Sequence, residues 1–330
     1  MHHGKTQIYL VVYVDDILLT DNDPKAISEL LQKLHSRFTM KNLGLANHFL
    51  GIKITSTTDK YHLSQSSYAS SILQLANLTH CNHLANPSCT KITSPTVEDQ
   101  PCFNQGTYRQ LIGSLQYLML TRPDITFTVN MLSQHMHDPA AIHAYMLKRL
   151  LHYIKGKIDL GIPITRSTLI LRTFSDADWV ADPISRKSIF GFCTFLGDTL
   201  VSWTVKKQTT VFRSSTKSEY RALTAAMANT IWIKRLLSNF SVQHGTPIDI
   251  SCDNVATLSE KKYDTKIEEI STLSDFQSRI QQYMVISDKL LINFDVFGAC
   301  VKDMIVGQCD NRGVVAEHIG GNLLQEAKIG

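Results

Sequence analysis

Residues 8–20 read IYLVVYVDDILLT, in which two adjacent aspartates, Asp15 and Asp16, separate two apolar runs rich in β-forming residues. Runs of this kind predict the two strands of a β-hairpin. Aspartate is favoured in turns, so the pair fits a turn with no further function. Adjacent carboxylates on a hairpin also suit magnesium-dependent nucleotidyl transfer, which needs several converging carboxylates around two metal ions. The pattern alone leaves both interpretations open.

The composition is that of a folded chain with apolar material for about two domains. Of its 330 residues, 43% are hydrophobic and 19% are charged, which excludes a disordered polyelectrolyte. No apolar run approaches the ~20 residues that a membrane span needs. The seven cysteines are scattered without a CxxC pair, which favours reduced thiols in an intracellular protein. With no targeting signal at the start of the sequence, we expect a cytoplasmic or nuclear location and no membrane partner.

The rest of the chain mixes helical and β-like segments and therefore predicts an α/β protein. Before Gly161, we predict strand character over 43–56, a polar loop over 80–106, and helices over 27–38, 65–75, 108–120, 123–137 and 139–154. After Gly161, we predict a long helix over 215–237 and strands over 169–179, 188–196, 200–205 and 248–252. Three strands, a helix and a further strand make an α/β unit of domain size.

The helix predicted over 139–154 carries a row of basic side chains. Lys148, His152 and Lys155 are spaced i, i+4 and i+7, so they share one face. A solvated helix surface explains such a row. Contacts to nucleic-acid phosphates explain it as well, because each cation that meets a phosphate releases a condensed counterion. The net charge of +4 supports the second interpretation only weakly.

Three more carboxylates lie where sites are commonly built in α/β proteins. Asp176 lies within a predicted strand, Glu219 near the start of the long helix, and Asp253 directly after the last predicted strand. Ligand sites in α/β sheets cluster outside strand ends, which favours a metal site. Local roles are also available, because Thr216 and Glu219 fit a capping box and Asp253 fits the cap of a following helix. Spacing alone leaves these alternatives open.

Short motifs follow one another in a fixed order over roughly residues 6–258. They are YVDD at 13–16, FLGI at 49–52, YRQLIGSLQYL at 108–118, TRPDI at 121–125, SDADW at 175–179, SW at 202–203, KKQ at 206–208, RSST at 213–216, SEYRAL at 218–223 and CDN at 252–254. This series closely resembles the copia-type retrotransposon Pol family, which joins a reverse transcriptase to a ribonuclease H. The number of motifs makes the resemblance specific.

The resemblance implies an α+β remnant of the palm, thumb and connection of a reverse transcriptase, followed by a ribonuclease H-like domain with a mixed sheet. We expect a partial palm and thumb over 1–80, a loop and helical connection over 81–162, and the ribonuclease H-like domain over 163–258. The tail over 259–330 has no counterpart in the motif series and stays unassigned.

The resemblance also implies a chemistry. Asp176, Glu219 and Asp253 would be three of the four ribonuclease H carboxylates, which bind two Mg²⁺ and hydrolyse the RNA strand of an RNA–DNA hybrid. The hybrid would be held by contacts to phosphate and 2′-hydroxyl groups. The residues that we assign to these contacts are Lys148, His152, Lys155, Lys206 and Lys207.

The polymerase part of the motif series is incomplete. Asp15 and Asp16 match two of the three polymerase carboxylates, and the third belongs to an upstream palm strand that this sequence lacks. We therefore expect no polymerase activity from this chain alone, and we expect a truncated part of a longer Pol polyprotein. No aspartate in the tail has the sequence neighbours of the fourth ribonuclease H carboxylate. The alternative function is a catalytically inactive relic that at most binds nucleic acid.

Overall fold

The structure is a computed structural model that describes residues 8–14, 16–21, 24–88, 103–242, 248–252 and 315–319. The helices are α1 (Pro24–His35), α2 (Ser66–Leu75), α3 (Gln105–Leu118), α4 (Thr126–Ser133), α5 (Ala141–Gly156) and α6 (Ser215–Asn239), with a 3₁₀ turn at Pro123–Ile125. The strands are β1 (Ile8–Tyr13), β2 (Asp16–Asp21), β3 (Met40–Leu45), β4 (His48–Phe49), β5 (Ile52–Ser56), β6 (Lys60–Ser64), β7 (Gly161–Thr165), β8 (Leu171–Asp178), β9 (Ile189–Leu196), β10 (Thr199–Lys207), β11 (Asp249–Cys252) and β12 (Val315–Ile319).

The strands form sheets in the orders β1-β2-β12-β3, β4-β5-β6-β7 and β10-β9-β8-β11. The last sheet is mixed, because β8 pairs antiparallel with β9 and parallel with β11. Sheets and helices together confirm the predicted α/β class. Within the described ranges, no helix is long and apolar enough to cross a membrane.

Contacts divide the chain into two compact units. The first comprises Met1–Ser64, Ile164–Arg166 and Ile292–Gly330, and the second comprises Gln65–Pro163 and Ser167–Leu291. The domain boundaries expected at residues 81, 163 and 259 stay predictions.

The first unit contains the predicted hairpin. Strands β1 and β2 pair antiparallel from Ile8 with Asp21 to Tyr13 with Asp16. Helix α1 covers one face of β2, and its Ile27 and Leu31 pack with Ile17 and Leu19 in one apolar cluster. The apolar spacing that predicted this helix therefore marks its buried face.

The hairpin turn holds Val14 at φ 53°. This is the left-handed region, which β-branched residues rarely adopt, and such strain costs on the order of 1–3 kcal/mol and tends to collect at functional sites. Val14 is therefore a strained residue beside the aspartate pair.

The second unit contains a helical core. Buried aliphatic side chains of α2 to α5 form one cluster, which includes Leu111, Ile112, Leu147 and Leu150.

A buried ion pair lies within this helical core. Arg122 is 1% exposed, and its guanidinium contacts both carboxylate oxygens of Asp124, with the shortest distance 2.7 Å from Nη2 to Oδ2. The third guanidinium nitrogen, Nη1, donates to the carbonyl of Lys157 at 2.8 Å. The hydroxyl of Tyr153 in α5 donates to Asp124 Oδ2, also at 2.8 Å. These bonds join the 3₁₀ turn to the C-terminal half of α5.

The N-terminal end of α5 depends on a neutral histidine. The backbone amide of Ala140 donates to Nδ1 of His143 at 3.0 Å, and the His143 ring stacks on His135 with centroids 3.7 Å apart. Burial lowers the pKa of His143, the nearby His135 lowers it further, and Asp138 opposes both. A protonated imidazole carries hydrogens on both ring nitrogens and cannot accept the Ala140 bond.

Loss of the Asp124 charge is expected to destabilise the helical core. Asp124→Asn leaves the buried Arg122 without its counter-charge, and breaking a buried pair in this way costs about 3–5 kcal/mol. Urea unfolding followed by far-UV circular dichroism measures the loss. The control is Asp59→Asn, which neutralises an exposed aspartate. Equal stability of the two variants would contradict the structural role of the pair.

Acidification is expected to weaken the same core through His143. Because its folded-state pKa lies below its ordinary value of ~6.5, the unfolded chain binds the proton more readily, and stability falls as the pH drops below that value. We expect the difference between the thermal midpoints at pH 7.5 and pH 5.5 to be smaller in His143→Gln than in the unaltered chain. The difference should stay unchanged in His80→Gln, which alters an exposed histidine. An unchanged difference in His143→Gln would refute this assignment.

Candidate functional site: carboxylates at the sheet end

Asp176 lies at the end of the mixed sheet where the parallel strands β8 and β11 finish their pairing. The last paired residues of the two strands are Ser175 and Cys252. Asp176 directly follows Ser175 and is half-buried, and Asp178 is exposed at the end of β8. Side chains alternate along a strand, so Asp176 and Asp178 share one face of the sheet and Ala177 points to the other.

The α6 helix packs on the face that carries Ala177. Deep in the sheet, the hydroxyl oxygens of Thr173 in β8 and Thr230 in α6 lie 2.7 Å apart. At the sheet end, Gln208 Nε2 donates to the carbonyl of Ser218 at 3.0 Å. These contacts fix the start of α6 beside the end of β8.

Glu219 lies in the second turn of α6 and reaches the end of β8. It is 5% exposed, and its Oε1 accepts a hydrogen bond from the backbone amide of Ala177 at 3.3 Å. The helix is capped instead by Ser214, whose hydroxyl accepts from the amide of Lys217 at 3.4 Å. The capping box that Thr216 and Glu219 could have formed is therefore not used, because the helix begins two residues earlier than that motif requires.

The environment of the site affects its outermost carboxyl group. Desolvation by neighbouring groups raises the pKa of Asp178 above its ordinary value, although its side chain is exposed, because desolvation disfavours the charged form. The sequence motifs assign no role to Asp178.

Asp253 lies outside the described residues. It directly follows Cys252 in the sequence, and Cys252 is paired with the residue before Asp176. Across the part of the chain that the structure describes, no three His, Cys, Asp or Glu side chains form a group able to hold a metal ion. The structure thus brings Asp176 and Glu219 to one sheet end, and the assignment of Asp253 stays a prediction.

The predicted polymerase carboxylates lie in the hairpin of the first unit. Asp16 begins β2 opposite Tyr13 and is half-buried. Asp15 lies outside the described residues. Their roles stay predictions.

Two of the predicted nucleic-acid contacts are engaged within the protein. His152 Nδ1 lies 2.6 Å from the carbonyl oxygen of Asn82, and the Lys207 ammonium forms an ion pair with Asp182. His152 therefore holds the loop before residue 88 against α5, and it is less accessible than the helical spacing suggested. Lys148 and Lys155 are half-buried, whereas Lys206 is exposed.

Comparison with known proteins gives matches over most of the chain. A family model for reverse transcriptase (RNA-dependent DNA polymerase) matches residues 1–90. An uncharacterized mitochondrial protein of Arabidopsis thaliana is 42% identical over 226 residues, which cover 68% of this chain and 94% of that protein. The retrovirus-related Pol polyprotein from transposon RE1 of the same plant is 39% identical over 266 residues, which cover 77% of this chain but 18% of the polyprotein.

Among solved structures, the foamy viral protease-reverse transcriptase in complex with double-stranded DNA matches with a TM-score of 0.38 and 14% identity. The match covers 86% of this chain and 45% of that chain. At this level of similarity, the comparison supports no statement about individual residues.

The bond between Glu219 and Ala177 can be tested without any activity. In Glu219→Ala, the amide of Ala177 should lose hydrogen-exchange protection relative to Ser175, because its acceptor is gone. Glu219→Gln should retain most of the protection, since the glutamine carbonyl can accept the same bond. Lys217→Ala serves as the control on the exposed side of α6. Equal protection in Glu219→Ala and the unaltered chain would show that the carboxylate does not reach β8.

Proposed function

The chain belongs to the copia-type retrotransposon Pol family, and from this membership we propose that its second unit hydrolyses the RNA strand of RNA–DNA hybrids at a ribonuclease H-type site. The observation that supports the proposal most is the position of Glu219. Its buried carboxylate bonds to the amide that directly follows Asp176. Glu219, which is distant from Asp176 in the sequence, is therefore held against the strand that carries Asp176.

The donor set fits a hard divalent cation. Carboxylate oxygens are the ligands that Mg²⁺ prefers, and burial of a carboxylate as complete as that of Glu219 is costly unless hydrogen bonds or a cation compensate it. Asp176, Glu219 and Asp253 would hold the metal. When bound, Mg²⁺ would activate a water molecule and neutralise charge on the phosphate that is cut.

Asp253 completes this proposed ligand set. The parallel pairing of β8 with β11 brings the carboxyl ends of both strands to the same edge, and Asp253 and Asp176 each come one residue after the last pair. Parallel strands that end together are the usual setting for a site in an α/β sheet.

Residues of the chain itself would position the substrate. The backbone amide of Ala177 would hold Glu219 in place. Exposed Lys206 would contact the phosphate backbone, whose affinity for cations depends on salt. Lys148 and Lys155 are proposed contacts at a more distant place along the hybrid.

Cleavage of a labelled RNA–DNA hybrid by the full chain in Mg²⁺ tests the proposal. Asp176→Asn, Glu219→Gln and Asp253→Asn should each lower the rate by at least the roughly 10–100-fold that loss of a supporting group at a metal site causes. The matched control is Asp59→Asn, an exposed aspartate of the first unit, which should retain full activity.

Two results would contradict hydrolysis. Cleavage equal in the unaltered chain and Asp176→Asn would mean that the activity does not belong to this site. Salt-dependent binding of the hybrid without any cleavage would identify the chain as an inactive relic that binds nucleic acid.

A further inference from the structure

The loop between β8 and β9, residues 179–188, is organised around Asp182. The carboxylate of Asp182 accepts bonds from the amides of Ile184 and Ser185 at 2.9 and 3.2 Å. It also accepts from the hydroxyl of Ser185 at 2.7 Å and forms the ion pair with Lys207 in β10. The amide of Asp182 donates to the carbonyl of Lys187 at 3.1 Å and closes the loop.

These bonds lower the pKa of Asp182 well below its ordinary range, chiefly through Lys207 and then through Ser185. The carboxylate is therefore charged at neutral pH and holds its hydrogen-bond donors in place. A loop of ten residues whose centre makes this many bonds is stiffer than its sequence suggests.

This stiff loop presents an apolar side chain to solvent. Ile184 is 90% exposed, the highest value among the exposed large hydrophobic side chains of the described residues. An isolated exposed aliphatic residue is common on protein surfaces. Here, however, several hydrogen bonds to Asp182 hold the backbone segment from which the Ile184 side chain projects.

The surroundings of Ile184 are basic. Arg186 and Lys187 follow it in the loop. Lys206 lies near the end of β10, next to Lys207, which pairs with Ile189 at the start of β9. No ion pair between described residues includes Arg186, Lys187 or Lys206. The only carboxylate within the loop, Asp182, is neutralised by Lys207. The tip thus combines one apolar side chain with a local excess of positive charge.

We propose that the 179–188 loop is a duplex-contacting element, in which Ile184 enters the shallow minor groove of an RNA–DNA hybrid while Arg186 and Lys187 contact the flanking phosphates. The proposal rests on the function proposed above and adds a specificity element to it. A polyanion matches the excess of cations, and a wide, shallow minor groove admits a projecting loop. Apolar side chains flanked by cations are a known means of reading a minor groove.

The position of the loop places the proposed groove contact close to the carboxylates in the sequence. The loop begins directly after β8, the strand that carries Asp176 and Asp178. A groove contact made here would fix the distance along the duplex between Ile184 and the carboxylates. The chain would then prefer a duplex over a single strand, because a single strand offers no groove.

The first experiment measures the dissociation constant of the full chain for a fluorescent RNA–DNA hybrid in Ca²⁺, and for the matching single-stranded RNA. Ile184→Ser should weaken hybrid binding about 5-fold, the scale of partial burial of one aliphatic side chain, and leave single-strand binding unchanged. Ile170→Ser is the control, because Ile170 is 52% exposed just before the opposite end of β8. Arg186→Gln should reduce the slope of log affinity against log salt by about 0.7–0.9.

The second experiment uses Asp182→Asn, for which rigidity and charge predict opposite results. Loss of one negative charge and release of the Lys207 ammonium would strengthen binding to a polyanion if only net charge mattered. If the loop must be held in shape, the same variant binds the hybrid more weakly, by about 3-fold or more, despite its added positive charge. Circular dichroism checks that the variant is folded.

The outcomes separate this inference from the proposed function. The loop inference is overturned if hybrid binding is unchanged in Ile184→Ser or tighter in Asp182→Asn. If hybrid cleavage still depends on Asp176 in that case, the proposed hydrolytic site is retained. Selective weakening of hybrid binding in Ile184→Ser, with no cleavage by the unaltered chain, supports the loop and refutes hydrolysis. Absence of any hybrid binding overturns both.

Discussion

The parallel pairing of β8 with β11 is the constraint on which the site depends. It brings two segments about 75 residues apart in the sequence into adjacent strands that finish at Ser175 and Cys252. The start of α6 is fixed at the same edge, because Glu219 bonds to the amide of Ala177 and Ser218 accepts from Gln208. The Glu219 carboxylate on a helix is therefore held at the strand that carries Asp176, and sites held by regular elements are more precise than sites on loops.

The helical part of the second unit supports this sheet. The indole of Trp203 in β10 donates to Thr126 at the start of α4 with a distance of 2.9 Å, and the Arg122–Asp124 pair joins that turn to α5. Buried ion pairs need further hydrogen bonds to offset desolvation, and here Tyr153 and the carbonyl of Lys157 supply them. The stability of the sheet end is therefore connected to residues that make no contact with the carboxylates.

Local patterns predicted the elements well and the partners of side chains less well. The β-rich runs around Asp16 and the apolar spacing of Ile27 and Leu31 were enough to predict the hairpin and α1. The sequence left the cap of α6 open, because Ser214 and Thr216 both suit a helix start. The bond from the Lys217 amide to the Ser214 hydroxyl decides between them. His152 contacts Asn82, and Lys207 contacts Asp182, because distant chain segments come together on folding. Helical spacing and a pair of adjacent lysines do not predict such contacts.

We propose that Asp176 and Glu219 hold a divalent cation at this sheet end. Crystals of the full chain grown with an uncleavable hybrid and Mn²⁺ would locate the cation by its anomalous scattering. We expect a manganese peak within about 2.5 Å of carboxylate oxygens of both residues, a bonding distance for a divalent cation and oxygen ligands. A peak elsewhere, with Glu219 still bonded only to Ala177, would contradict it.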